Sequence, residues 1–155
     1  MTGLKSFLVL ILLTRIAACD FAPGSYPYAE EYEFKVPESE LIEAIQNFKR
    51  DNPQYIVPKQ TQLTDGRNNN TGQDYWYHIY FYYPKENQIV KAWARPSEEG
   101  KTTFAFIALN QGLELGNWKE INKDFGRLEN KAEINKFEER ILNKIKDKLE
   151  PRTAD

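Results

Sequence analysis

The stretch Tyr75-Trp76-Tyr77-His78-Ile79-Tyr80-Phe81-Tyr82-Tyr83 decides how the rest of the chain is read. Aromatic side chains fit a pleated, half-buried surface, so this run predicts a β-strand. Successive side chains of a strand point to opposite faces. One face then carries Tyr75, Tyr77, Ile79, Phe81 and Tyr83, and the other Trp76, His78, Tyr80 and Tyr82. The Ile79/Phe81 face is expected to meet helices. Pro84-Lys85-Glu86-Asn87 has turn chemistry, and Ile89–Arg95 reads as a second strand. Pro96–Gly100 is a second turn, and Lys101–Leu109 a third strand. Links this short make an antiparallel meander. In the second strand Val90, Ala92 and Ala94 are the inward set, small enough to admit a close helix. That places Ile89, Lys91, Trp93 and Arg95 on the outer face.

The segments around the meander supply its cover. Glu31–Val36 alternates, with Tyr32, Phe34 and Val36 on one side, and predicts a half-buried strand. Pro37 opens a helix with Glu38 and Glu40 in its first turn, where the helix dipole favours negative charge. Leu41, Ile42, Ile45 and Phe48 form its apolar stripe, and Asp51-Asn52-Pro53 ends it. Residues 54–64 read as extended, and Thr64–Asp74 as a polar loop. A C-terminal helix shows Ile134, Phe137, Ile141, Ile145 and Leu149 on one side, with Asn130 and Glu133 imitating a capping box and Pro151 as its stop. Residues 110–129 stay open between a short helix, on the spacing of Trp118, Ile121 and Phe125, and an irregular loop rich in glycine. The order β-α-β-β-β-α implies a two-layer α+β domain, a mainly antiparallel sheet with two amphipathic helices on one face.

The N-terminus has a different character. Lys5 precedes Phe7–Leu13, an unbroken apolar run much shorter than the ~20 residues that span a bilayer. It fits a secretory signal peptide. The residues Ile16-Ala17-Ala18-Cys19 that follow resemble the lipobox of bacterial lipoproteins: an aliphatic residue, two small residues and a cysteine. Cys19 is the only cysteine of the chain. Arg15 is a departure from the usual apolar flank. The resemblance implies diacylglycerol on the Cys19 sulfur, cleavage before it, and a membrane anchor through the covalent lipid in the bacterial cell envelope. Which membrane is left open. Residues 1–18 are then the signal peptide, 19–30 the lipidated cysteine and a tether, 31–151 the single domain and 152–155 a tail.

Composition narrows the function classes. The 155 residues carry 21 basic and 23 acidic side chains, unlike the clustered basic charge that phosphate backbones demand, so no nucleic acid partner is expected. One cysteine permits no internal disulfide and no cysteine-based metal cluster. Asp65–Asp74 lacks the closing Glu of a calcium loop and has Arg67 at a ligand position, so neither a metal nor a cofactor is expected. Of the four serines, Ser6, Ser25, Ser39 and Ser97, none sits in a nucleophile elbow, and His78 is the only histidine. The chain is therefore read as non-enzymatic, and no catalytic residue is assigned.

The residues most worth testing lie on the outer sheet face: Trp76, His78, Tyr80, Tyr82, Lys91, Trp93 and Arg95. Rings with polar tips and flanking cations suit a wet recognition surface for a protein or glycan partner. The same residues could instead be cross-strand pairs stabilising the sheet, or lie beneath Trp118 and its neighbours in 110–129. The functional expectation is a lipid-anchored envelope protein with a protein-interaction or envelope-assembly domain. The alternatives are a carbohydrate-binding lipoprotein using the aromatic face and a hydrolase whose carboxylates cannot be located.

Overall fold

Alternation along the aromatic run becomes a real separation of faces. The computed structural model describes residues 26–67 and 75–149. Within them run β1 (Glu30–Phe34), α1 (Glu38–Asp51), two single 3-10 turns (Pro53–Tyr55 and Lys59–Thr61) and β2 (Tyr77–Tyr83). Then follow β3 (Gln88–Pro96), β4 (Thr102–Gln111), β5 (Trp118–Glu120), α2 (Arg127–Phe137), a π-turn (Glu138–Leu142) and α3 (Asn143–Leu149). The sheet is antiparallel, ordered β1-β4-β3-β2. β5 also pairs with β4, end to end with β1: β1 takes Thr102–Phe106 and β5 takes Ala108–Asn110. The fold is the expected two-layer α+β arrangement with one more strand than the sequence indicated.

The helices of the described residues lie on one sheet face. Leu41, Ala44, Ile45 and Phe48 of α1 meet Ile79, Phe81, Val90, Ala92, Ala94, Phe104 and Phe106 from the sheet, with Phe137, Ile141, Leu142 and Ile145 beside them. Phe137 stacks on Phe106 at a centroid distance of 4.6 Å. The C-terminal apolar residues Phe137, Ile141, Ile145 and Leu149 repeat every fourth position, slower than the 3.6-residue α-helical turn. A π-turn takes in one extra residue, which returns the drifting stripe to the core. A bulge does the same for β4. Its register with β3 shifts between Lys91 and Ala92, leaving Ile107 as the extra residue. Phe104, Phe106 and Leu109 therefore face the helices, while Ala105, Ile107 and Ala108 face away.

Several boundaries differ from the sequence reading. β2 begins at Tyr77, and β4 runs on to Gln111. The segment 54–64, expected to be extended, is instead taken up by two 3-10 turns, the first beginning at Pro53, because Pro53 and Pro58 leave too little uninterrupted chain for a strand. The C-terminal helix starts at Arg127 behind Gly126, and Asn130 does not cap it. The Asn130 side chain instead accepts the Asn122 backbone N–H at 2.7 Å. Residues 110–129 hold β5, whose approach is fastened by Asn110. That fully buried amide donates to the Gly112 and Glu114 carbonyls at 3.0 and 2.9 Å and accepts the Asn117 N–H at 2.9 Å. Part of the expected tether also belongs to the domain. Tyr26 and Ala29 pack on the second sheet face, and β1 already starts at Glu30. The expected signal peptide at 1–18, the Cys19 expected to carry lipid, the rest of the expected tether up to residue 25, residues 68–74 of the expected polar loop and residues 150–155 lie outside the described residues.

Candidate functional site: a cleft at the edge of β2

The expected outer face divides into three parts. The first is a closed aromatic cluster. Trp93 is 2% exposed and packs with Ala105, Ile107 and Ala108, with Tyr26, Ala29, Trp76 and Trp118 around them. Its ring lies 6.3 Å from Tyr26 and 6.5 Å from Trp76, with the Arg95 guanidinium 5.4 Å above it. Trp93 is therefore no open platform: the chain before β1 folds back over it. Apolar residues on both faces of β3 and β4 require such a cover, as water on Ile107 and Trp93 would be unfavourable. Trp118 lies on this face. The second part is Tyr82, whose hydroxyl donates to Asn87 at 2.9 Å across the β2–β3 turn.

The third part is a recess. His78, Tyr80 and Lys91 line a cleft of about 570 Å³ together with Tyr26 and residues Gln62–Arg67. Its far wall is built on the open edge of β2. Gly66 and His78 exchange backbone hydrogen bonds, each of 2.9 Å. One step along, side chains replace backbone: the Asp65 carboxylate accepts the Tyr80 N–H at 2.9 Å, and the Lys49 ammonium donates to the Tyr80 carbonyl at 2.7 Å. Lys49 also pairs with Asp65 at 2.5 Å and sits 4.7 Å over the Phe81 ring. An exposed strand edge invites pairing with another chain, and this arrangement occupies the edge. Burial pushes the Lys49 amine below its ordinary pKa, while Asp65 acts in the opposite direction. Arg67 is tied as well, to Glu38 and to the Tyr75 carbonyl.

Lys91 is placed differently. Its ammonium lies 5.3 Å from the Tyr26 ring centre and 5.9 Å from that of Trp118. Among the described residues no carboxylate pairs with it. Burial lowers its pKa, and the more distant Glu120 opposes that shift. A second hollow, of about 630 Å³, lies behind the 62–65 wall and is lined by Ile56, Val57 and Leu63 with Lys49, Arg50 and Lys59. Chemically, the first cleft can hold an acceptor group against Lys91 and the polar groups of its wall.

Sequence reasoning found His78, Tyr80 and Lys91 but missed Tyr26, Asp65 and Arg67. Those three sit in segments without period, and only the tertiary fold brings them to β2. Among the described residues no group of three or more His, Cys, Asp or Glu is placed to hold a metal ion, and no helix is long and apolar enough to cross a membrane. Comparison with protein families, with curated proteins and with solved structures finds no match to this chain.

Proposed function

We propose that this chain is a lipid-anchored protein of the bacterial envelope, held by diacylglycerol on Cys19, whose domain binds a partner without transforming it. One observation carries the link between anchor and domain: Tyr26, a wall residue of the cleft, follows Cys19 by only seven positions. A chain of that length reaches at most about 25 Å. A lipid on Cys19 would thus hold the cleft close to the membrane surface, where an envelope partner is met. Two or three acyl chains, each contributing about 0.8 kcal/mol per buried methylene, would make the attachment lasting. The carbohydrate-platform alternative is weakened by the burial of Trp93, because stacking on a sugar ring needs an open indole face.

The test is incorporation of labelled palmitate in a bacterial host, followed by membrane fractionation. Wild-type chain is expected to carry the label and pellet with membranes, and Cys19→Ala to do neither. Label retained by Cys19→Ala would sink the anchor.

A further inference from the structure

We propose that the cleft receives an organic oxyanion, a phosphate or a carboxylate, whose charge is met by Lys91. The inference rests on the reading of the domain as a binding module and names what the module would take.

Charge in the cleft lining is unevenly matched. Among the described residues Asp65 is the one carboxylate of the lining, and both its oxygens are engaged, one by Lys49 and one by the Tyr80 N–H. Arg67 is balanced by Glu38. Lys91 alone brings charge to the lining without an ion-pair partner among the described residues; Glu120 acts on it from beyond ion-pair distance and is itself paired with Lys123. Its neighbours are the Tyr26 and Trp118 rings, which attract a cation more weakly than an oxyanion does. A half-buried ammonium between rings has surrendered part of its hydration, so an arriving anion has less water to displace. The lowered pKa of Lys91 agrees with this, because burial is its main cause. The volume of about 570 Å³ suits an organic molecule and far exceeds a bare ion. Such an anion has two sources, a soluble metabolite or a phospholipid headgroup.

Amine footprinting separates them. Full-length lipidated protein in an uncharged detergent is acetylated with acetic anhydride, and labelling of Lys91 is compared with that of Lys119 and Lys144 by peptide mass spectrometry. The probes are sn-glycerol 3-phosphate, succinate and micellar phosphatidylglycerol, with sodium chloride at matched ionic strength as control. Lys91 labelling is expected to slow at least several-fold and saturably, with the other two lysines unchanged. Protection by the soluble anions assigns a metabolite, and protection by phosphatidylglycerol alone assigns a headgroup. Lys91 labelling that none of the three changes, or that chloride slows equally, overturns the proposal. In equilibrium dialysis of the protecting probe, Lys91→Met is expected to weaken binding roughly tenfold, and Lys91→Arg to retain most of it. Wild-type affinity in Lys91→Met would also overturn it. Palmitate on Cys19 without protection of Lys91 leaves the lipoprotein reading standing and removes only this inference; protection of Lys91 without palmitate does the reverse.

Discussion

Replacing Trp93 by alanine tests whether the second sheet face is a core or a surface. The indole is 2% exposed, so almost its whole area leaves water on folding. Truncating a fully buried Trp removes about 3–5 kcal/mol in well-packed cores, transfer and cavity together. One opposing contribution is visible. The Trp93 indole N–H is buried with no hydrogen-bond partner among the described residues, a defect of about 1 kcal/mol or more that alanine removes. The expected net loss is therefore about 2–4 kcal/mol, a large share of a domain stability of ~5–15 kcal/mol. Trp93→Phe removes the same defect and keeps much of the ring, so its loss is expected to stay below about 1.5 kcal/mol. Trp76, half-buried at the margin of the cluster, should lose about 1–2 kcal/mol on truncation to alanine. The assay is urea unfolding of the full-length protein followed by far-ultraviolet circular dichroism, with slope and midpoint fitted separately. A loss under about 1 kcal/mol for Trp93→Ala would show that residues 26–29 do not cover the ring, and the cleft wall formed by Tyr26 would fall with it.

The Tyr83 hydroxyl is buried with no hydrogen-bond partner among the described residues, and burial raises its pKa; Tyr83→Phe should be neutral or stabilise by up to about 1 kcal/mol in a thermal melt. Asn110→Ala should lose about 2–3 kcal/mol and free the Gly112–Asn117 loop, seen as faster amide exchange through β5, because three hydrogen bonds end on one buried amide. For Glu86, burial raises the carboxyl pKa, but the hydrogen bond and charge of Arg140 at 2.8 Å outweigh it and hold the pKa below the ordinary 4.5. A depressed carboxyl stabilises the fold above its ordinary pKa, and the gain is lost as pH falls through the folded-state value. Wild type should therefore exceed Glu86→Gln by about 0.5 kcal/mol at neutral pH, and the gap should close in acid; a gap independent of pH would refute the ion pair.

Local pattern was enough for β2, β3, β4 and α1. In β2 and β3 alternation sets which side chains meet the helices, so Ile79, Phe81, Val90, Ala92 and Ala94 could be placed inward before any contact was known. The same reading failed where contacts distant in sequence decide the outcome. β5 has three residues, too few to show alternation, and exists because β4 offers it an edge. The Asn130 box was misleading because the chain had already turned helical at Arg127. Trp93 was expected to face outward, and it does point away from the helices; nothing local indicated that Tyr26 and Ala29 would close over it.

The candidate site divides along the same line. His78, Tyr80 and Lys91 could be named because strand geometry aligns their side chains on one face. Their surroundings could not. Asp65 and Lys49 are 16 residues apart and meet at the edge of β2 only because α1 and the 62–66 segment dock there. By itself the sequence determined the strands, the two apolar helix faces and the unusual isolation of Cys19, because these depend on composition and spacing within a few turns of chain. The tertiary structure alone decided that part of the aromatic face became core and part a cleft wall, because burial depends on which segment arrives to cover a surface.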